Sequence, residues 1–398
     1  MAGRHDEVAI IGGGHNGPVA AGRLQSALPA ELYVDHEAWV RERERVLFRS
    51  WFCVGRIREL RLDRPTRLAV VDVAGESVLL TTDRSGVLHA AYNVCRHRGS
   101  QVVPVDPAAP PPEPCATQAL RCPYHSWTYG MDGRLLKAPH TEELDDFEAD
   151  SFGLNPVAVG TWGGFCFVHL TPSEATPLAE EVAPFAASLG RYPLEALLVG
   201  RRFEYDVAAN YKVLAENYNE CYHCGPVHPE LSRLVPAFAG GGRNLDWDAG
   251  IPHRDGAWTF TMSGTTNRRP FPGLSQDERT RHKGELVYPN LLLSCSADHV
   301  AAFVLWPLSE SRTRVTCELL FAADEVHGPG FDPDDAGELW DLVNRQDWGV
   351  CESVQRGMSS RGYIQGWFAP MEEPSADIRR WLLPRLDYDA PGDGASDD

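Results

Sequence analysis

The sequence predicts an α+β protein in which a small antiparallel β domain precedes a larger domain of helices and strands. Between about residues 67 and 167, short β-rich runs alternate with turn residues. Three longer strand-like runs and one long amphipathic helix follow further along the chain. Consecutive strands joined by Gly- and Asp-containing turns are typical of antiparallel sheets.

Composition narrows the class of protein. The chain has 398 residues, enough for one large domain or two ordinary ones, and a net charge of −19. That charge argues against nucleic-acid binding and is compatible with a cationic substrate. No apolar run has membrane-spanning length, and the N-terminus lacks a signal-peptide pattern, so we expect a cytoplasmic protein without membrane contacts. Its ten cysteines are expected to be free thiols and metal ligands.

The first 27 residues contain a dinucleotide-like motif, Gly12-x-Gly14-x-x-Gly17, after a short apolar run. Such a turn can hold a pyrophosphate, so flavin or nicotinamide binding is one interpretation. A dinucleotide domain needs several βα units, however, and at most one fits before residue 38. We therefore predict an N-terminal extension over 1–27 rather than a Rossmann domain.

The next elements follow from apolar spacing. The stretch EAWVRERERVLFRSW predicts a charged amphipathic helix with Trp39, Val46 and Trp51 on its apolar side. The runs LAVVDV, SVLLTT, LHAAYNV and GGFCFVHL predict the strands of the small β domain.

Two loops of that β domain carry metal-ligand spacings, Cys95-x-His97 and Cys122-x-x-His125. Two thiolates and two imidazoles bind either zinc or a two-iron cluster. Zinc sites usually group like ligands, whereas each loop here offers one Cys and one His. This interleaving favours a Rieske [2Fe-2S] centre, with two Cys on one iron and two His on the other.

The segment between these two loops is long. Its excess is a Pro-rich stretch from Asp106 to Pro114, which leaves the four ligands in place. Cys115 follows this stretch, and we interpret it as a bystander thiol.

The next segments, RFEYDVAANYKV and NYKVLAENYNECYHCGPVHPEL, predict a strand leading into a helix and a second set of ligands. In a continuous helix Glu216, Glu220 and His223 share one face. His228 lies five residues beyond His223, so we expect the helix to break at Gly225-Pro226 and the chain to turn back. The alternatives are a zinc knuckle or four packed side chains, formed in either case by Cys221, His223, Cys224 and His228.

The segments LVYPNLLLSCS, HVAAFVLWPL and RTRVTCELLF predict three long strands, and DAGELWDLVNRQDWGVCESVQRGM predicts a long helix. On that helix Asp347 falls within an apolar stripe, where a carboxylate is costly unless it is paired or binds metal. Two His and one carboxylate form the facial triad of non-haem iron oxygenases. The apolar stripe consists of Val343, Val350, Cys351 and Val354, and the solvated charges opposite are Glu338, Asp341, Arg345, Glu352 and Arg356.

The motifs CRHRGS…CPYHSWTYGMDGRL, ENYNECYHCGPVHPEL and QDWGVCESVQRGM resemble those of Rieske non-haem iron oxygenase α subunits, over about residues 28–385. The resemblance implies a Rieske domain with an N-terminal helix at 28–172, a helix-grip (START-like) catalytic domain at 173–388 and a disordered acidic tail at 389–398. It also implies that His223, His228 and Asp347 hold a mononuclear Fe(II). Glu220 would link that iron to a neighbouring subunit's cluster, and Asn217 would lie beside the iron.

The motif ECYHC is most similar to the glycine betaine, choline and carnitine branch. That similarity implies a homotrimer that uses O₂ and takes electrons from a separate flavin/ferredoxin-type reductase, with NAD(P)H serving only the reductase. The expected reaction is hydroxylation or N-demethylation of a quaternary or N-methylated amine. An aromatic cage would suit such a cation, and the candidate residues for it are Trp247, Trp258, Phe260 and Tyr288.

Three other functions remain open from the sequence. The protein could be a tailoring oxygenase of an aromatic or N-heterocyclic amine, including N-oxygenation, and Cys295 and His299 indicate a divergent pocket. An electron-transfer Rieske protein would leave the second ligand set unexplained. A zinc-bound structural protein would be colourless.

Overall fold

The computed structural model describes residues 25–106, 112–242 and 245–388. The Gly-rich motif, the acidic tail and the middle of the Pro-rich stretch lie outside these residues. The described chain begins with β1 (Gln25–Ser26), α1 (Glu31–Val34) and α2 (His36–Arg45). Strand β1 pairs antiparallel with residues 367–368 near the other end of the chain, so the end of the predicted extension belongs to the fold.

Helix α2 is shorter than the sequence predicts. The Asp35 side chain caps its N-terminus, accepting from the Ala38 N–H at 2.8 Å. The helix ends at Arg45, and a 3₁₀ turn at Leu47–Arg49 follows, so the prediction of one helix as far as Trp51 was wrong. The apolar positions Trp39, Val46 and Trp51 are nonetheless all buried.

The first half of the chain forms a seven-stranded sheet and a separate three-stranded sheet, both antiparallel. The large sheet has the order β2-β11-β10-β5-β4-β3-β6, and the small sheet has the order β7-β8-β9. Turns separate these strands as predicted. The strands are β2 (Phe52–Arg56), β3 (Arg67–Val73), β4 (Glu76–Thr82), β5 (Leu88–Tyr92), β6 (Cys115–Ala116), β7 (Leu120–Arg121), β8 (Thr128–Tyr129), β9 (Leu135–Lys137), β10 (Pro156–Trp162) and β11 (Phe165–His169).

The second half packs helices against a six-stranded antiparallel sheet of order β12-β17-β16-β15-β14-β13. Its helices are α3 (Leu178–Glu181), α4 (Ala183–Ser188), α5 (Tyr211–Tyr218), α6 (Cys224–Val227), α7 (Pro229–Leu234), α8 (Pro236–Ala239), α9 (Ala323–Val326), α10 (Asp334–Met358) and α11 (Asp377–Arg385). Its strands are β12 (Leu198–Val207), β13 (Ile251–Pro252), β14 (Arg281–Val287), β15 (Leu291–Cys295), β16 (His299–Ser309) and β17 (Arg312–Phe321), and β18 (Trp367–Phe368) pairs with β1. The predicted α+β class with antiparallel sheets is confirmed.

Helices α5 and α10 contact each other, and both also contact strands of the six-stranded sheet. Side chains alternate across a strand, so Phe303 and Leu305 of β16 join the core on one face of this sheet. Ala302 and Val304 join a second core on the other face. The candidate site lies on the first of these faces.

The predicted strand over LVYPNLLLSCS was wrong. Residues 288–290 turn the chain, so that β14 and β15 pair antiparallel with Val287 opposite Leu291. Pro289 has no N–H to donate to a sheet, which favours a turn at this point. Within the described ranges, no helix is long and apolar enough to cross a bilayer.

Candidate metal centres and active-site cavity

The two Cys-His loops meet at one end of the small β domain. The loop after β5 carries Cys95 and His97, and the turn between β7 and β8 carries Cys122 and His125. The two imidazole rings lie 4.6 Å apart, and His97 stacks on Trp127 with the ring centres 5.0 Å apart. Both cysteines are buried, whereas His97 is exposed. The cluster site therefore has an inner thiol side and an outer imidazole side.

Hydrogen bonds hold the thiol side. The Cys95 Sγ and the Tyr129 hydroxyl are 3.1 Å apart, and that hydroxyl also accepts from the Arg96 N–H at 3.0 Å. Burial raises the pKa of Cys95. Burial also acts to raise the pKa of Cys122, but hydrogen bonds from the Tyr124 N–H, the Cys95 side chain and the His125 N–H outweigh it, and the net shift is downward. Donors around a thiol favour its thiolate, the form that binds metal.

The second ligand set converges between α6 and α10. One ligand atom from each of His223, His228 and Asp347 lies within 4.8 Å of the other two. Asp347 Oδ1 is 2.8 Å from His228 Nε2 and 3.2 Å from His223 Nε2. Asn217 Nδ2 lies 3.4 Å from the same His223 atom. Two imidazoles and one carboxylate therefore face a common point.

The far side of each imidazole is fixed by an oxygen acceptor. His223 Nδ1 contacts Glu220 Oε1, and His228 Nδ1 is 2.7 Å from Gln346 Oε1. If each Nδ1 carries the proton, each Nε2 keeps its lone pair for a metal. An acceptor on the distal nitrogen is typical of metal-binding histidines. The arrangement fits Fe(II), which two His and one carboxylate hold in open facial sites.

The local backbone differs from the predicted helix. Helix α5 ends at Tyr218, so Glu220 and His223 do not lie on it, and the expected break at Gly225-Pro226 was wrong. The Glu220 carboxylate accepts the N–H groups of Tyr222 and His223, which satisfies them outside a helix. Pro226 lies in the first turn of α6, where a missing N–H is tolerated.

Helix α10 presents Asp347 to the ligand cluster, but the predicted apolar stripe is only partly right. Val343 and Cys351 are buried, whereas Val354 is 37% exposed. The buried side near the end of α10 includes Gln355, which bonds the Asn210 N–H and the Tyr33 carbonyl. Of the charges expected opposite the stripe, Glu338, Arg345 and Arg356 are exposed, while Asp341 and Glu352 are half-buried.

Negative charge dominates this centre. Burial acts to lower the pKa of His223, but bonds to Asp347 and Glu220 outweigh it and raise this pKa to about 11. Burial acts to raise the pKa of Asp347, yet the two imidazoles hold it below its usual range. A divalent cation satisfies the same electrostatic demand.

A cavity of about 100 Å³ adjoins the three converging residues. Polar residues including Asn217, Glu220 and Ser294 line part of it. Seven aromatic side chains also line it: Tyr218, Phe238, Trp247, Phe260, Phe303, Trp340 and Trp348.

The predicted aromatic cage is half right. Trp247 and Phe260 line the cavity. Trp258 instead packs on the other face of the sheet, and Tyr288 stacks on Trp381 with the ring centres 4.8 Å apart. The sequence analysis missed Phe303 and the remaining aromatic lining residues. The alternation of side chains along β16 places Phe303 on one face of the sheet. The sequence alone does not show which face the helices cover.

Cys295 and His299 do not line the cavity. Cys295 is buried in the core on the opposite face, because it is an odd-numbered residue of β15. His299 supports the cavity wall instead, since its Nε2 accepts the Trp340 indole N–H at 2.9 Å. His282, which lines the cavity, was also missed.

A two-loop Cys-His site and a two-His, one-carboxylate cluster on this α+β fold define an iron-dependent oxidoreductase of the Rieske type. Family models agree: the Rieske [2Fe-2S] domain matches residues 50–148, and the ring-hydroxylating alpha subunit catalytic domain matches residues 194–387. The chain belongs to the Rieske non-haem iron oxygenases, and its cofactors are a Rieske cluster and a mononuclear iron. The predicted family is confirmed, and the electron-carrier and zinc interpretations were wrong.

Sequence and structure comparisons show which members of this family the chain is similar to. The glycine betaine monooxygenase oxygenase subunit of Pseudomonas aeruginosa is 30% identical over 87% of this chain and 86% of its own. The carnitine monooxygenase oxygenase subunit of Escherichia coli is 30% identical over 84% and 85%. The structure is similar to a quaternary ammonium Rieske monooxygenase in complex with L-carnitine, with a TM-score of 0.68 and 25% identity over 92% of this chain and 96% of that one.

Proposed function

We propose that this chain is the oxygenase component of a system that hydroxylates a quaternary or N-methylated amine. Hydroxylation of an N-methyl group or an adjacent carbon would release an aldehyde and the shortened amine. The proposal rests on one observation: a cavity lined by seven aromatic side chains opens onto His223, His228 and Asp347. The carnitine and glycine betaine relatives support the same substrate class.

The geometry supports the following ligand roles. Cys95 and Cys122 would hold one iron of the cluster, and His97 and His125 the other. His223, His228 and Asp347 would hold the mononuclear iron. When bound, the cluster stores single electrons and the mononuclear iron activates dioxygen.

The chain's own residues prepare this site. Glu220 and Gln346 orient the two imidazoles from behind, and Asn217 places an amide beside His223. Its amide N–H groups can donate to an oxygen atom near the ligand cluster.

The cavity wall suits a cation. Phe260 and Trp340 have ring centres 5.5 Å apart, and Phe303 lies 5.8 Å from Trp340. Aromatic faces attract alkylammonium groups, which cannot donate hydrogen bonds when fully methylated.

Subunit contacts and electron delivery are part of the proposal. We infer a homotrimer served by a separate reductase, with Rieske and catalytic units at 28–172 and 173–388. Glu220 touches His223 and sits beside Tyr222, which is exposed on the surface. From there it would contact a cluster histidine of a neighbouring subunit.

The test is substrate-dependent O₂ consumption with a surrogate reductase, followed by mass spectrometry of the product. The panel contains betaines, choline and carnitine, with heterocyclic amines as the competing class. We expect O₂ uptake and an aldehyde product with a quaternary amine, and no uptake with Asp347→Ala. Turnover of heterocyclic amines alone would overturn the substrate class.

A further inference from the structure

His282 is a polar residue on the cavity wall to which neither the sequence motifs nor the proposed iron chemistry gives a role. It lies on β14, where His282 and Gly284 point toward the cavity and Glu285 does not line it. The residue is only 5% exposed. Its ring stacks on Phe260, with the ring centres 4.0 Å apart and the planes 8° apart.

Among the residues that the structure describes, this imidazole has no hydrogen-bond partner. Its Nδ1 is buried without a hydrogen bond, and no side-chain bond joins the ring to another residue in the described ranges. A buried polar group without a partner costs about 1–3 kcal/mol. A phenylalanine would fill the stacking position without that cost. Unlike Nδ1, the Nε2 atom of His282 is not enclosed by protein, so it is the ring nitrogen that a ligand in the cavity can reach.

The ring is held neutral. Burial lowers the pKa of His282 well below its usual value, and the neighbouring His253 and His299 imidazoles lower it further. A neutral imidazole offers one N–H donor and one acceptor. It can therefore bind an oxygen atom of a ligand without carrying a charge of its own.

The cavity also contains the complementary surface. Phe303 and Trp340 also line the cavity, and aromatic rings attract alkylammonium groups. A substrate with an ammonium group and an oxygen-bearing arm would use both kinds of surface.

Resting on the proposed function, we propose that His282 determines specificity by donating its N–H to an oxygen on the arm of a quaternary ammonium substrate. A hydroxyl and a carboxylate share this acceptor chemistry.

The first test compares ligands on the wild-type protein. Calorimetry under anaerobic conditions gives the Kd of choline, of glycine betaine and of propyltrimethylammonium, which replaces the choline hydroxyl with a methyl group. At least one oxygen-bearing compound should bind about tenfold more tightly than propyltrimethylammonium. Tighter binding of choline would identify a hydroxyl as the acceptor, and tighter binding of glycine betaine would identify a carboxylate. Equal affinities for all three would overturn the role of His282 while the proposed function stands.

Variants test the residue itself. His282→Phe keeps the stack on Phe260 but removes the donor. The Kd of the oxygen-bearing ligand should therefore rise about tenfold, while the Kd of propyltrimethylammonium should stay within twofold of the wild-type value. His282→Gln restores a donor and should recover most of the affinity. If His282→Gln lost affinity for the oxygen-bearing ligand and for propyltrimethylammonium to the same extent, the role of His282 would be merely structural and the proposal would be overturned.

His253 offers a matched control. Its two ring nitrogens are also buried without partners, and its ring lies 5.2 Å from Phe260, but it does not line the cavity. His253→Phe should leave the ratio of the Kd values unchanged, and a change equal to that of His282→Phe would contradict the assignment. If the wild type binds no ammonium compound, the proposed function fails and the role of His282 fails with it.

Discussion

His223 has a carboxylate on each side of its ring. Asp347 faces Nε2 at 3.2 Å, and Glu220 contacts Nδ1. The Glu220 carboxylate also accepts two backbone N–H groups, so its position is fixed within the chain. A fixed carboxylate behind a metal-binding imidazole tunes both the orientation and the basicity of that ligand.

The linking role that we propose for Glu220 predicts that its replacement affects electron delivery more than metal content. In Glu220→Gln we expect both iron sites to stay loaded while reoxidation of the reduced cluster slows at least tenfold, because the amide is neutral. Rapid-mixing absorbance in a single turnover measures the rate. Glu338→Gln, on the exposed side of α10, is the control. An unchanged rate in Glu220→Gln would refute the linking role.

Gln346 plays the corresponding part for His228, and the sequence analysis did not identify it. Its amide oxygen lies 2.7 Å from His228 Nδ1, and its amide nitrogen lies 3.4 Å from Glu230. It directly precedes Asp347, so one turn of α10 supplies both a ligand and the support of another.

Gln346→Leu should lower the Fe(II) affinity of the mononuclear site about 10- to 100-fold, because His228 loses its acceptor. Competition with a coloured chelator measures this affinity. Gln346→Glu keeps an acceptor oxygen and should bind iron nearly as well as the wild type. Equal affinities of the leucine variant and the wild type would contradict this account.

At the scale of a single element, strand β14 separates the cavity on one side from a buried carboxylate on the other. His282 and Gly284 line the cavity, while Glu285 is buried away from it, where the Ser188 hydroxyl donates to its carboxylate. Burial raises the pKa of Glu285 to about 7. The folded protein thus binds this proton more tightly than the unfolded chain does.

This raised pKa predicts a pH-dependent stability. The contribution of Glu285 is fully present below the unfolded pKa of about 4.5 and is lost as pH rises through about 7. Glu285→Gln should gain stability relative to the wild type by on the order of 3 kcal/mol between pH 4.5 and pH 8. Urea unfolding at several pH values measures the difference, and parallel curves would argue against a protonated Glu285.

Local patterns identified most elements, and tertiary packing explains the errors. Helix α10 could be predicted because its helical spacing of apolar residues repeats over 25 residues. The end of α5 was not, because side-chain bonds from Glu220 compete with helical bonds there. The turn at Pro289 was missed since both flanking runs are apolar and buried.

The Cys and His ligands could be predicted from spacing within short segments, and Asp347 from its position in the helical pattern of α10, whereas the cavity wall could not. Phe303 and Trp340 come from different elements, and only their packing places them together. Likewise, nothing in the local sequence distinguishes Trp258, which packs on the other face, from Phe260.

At the scale of the whole molecule, a buried ion pair joins the N-terminal helix to the catalytic half. Lys212 Nζ of α5 donates to Glu42 Oε2 of α2 at 2.7 Å, and both side chains are fully buried. The Tyr211 hydroxyl donates to the other Glu42 oxygen. Helix α2 therefore belongs to the core that positions α5, which leads into the proposed iron site.

Removing one charge of this pair should destabilise the whole molecule. Glu42→Gln leaves Lys212 buried without a counter-charge, and we expect the free energy of unfolding to fall by about 3 kcal/mol. Urea denaturation measures the change. Glu44→Gln, on the exposed side of α2, should stay within about 0.5 kcal/mol of the wild type. Equal stability of Glu42→Gln and the wild type would contradict this interpretation.

The central claim is that one polypeptide holds a cluster and a separate mononuclear iron. Quantifying iron and acid-labile sulfide in anaerobically reconstituted protein tests it most directly, with Asp347→Ala alongside the wild type. We predict three irons and two sulfides per wild-type chain, and two irons with the same sulfide and visible absorption in the variant. Equal iron contents in the two proteins, or zinc in place of iron at both sites, would contradict it.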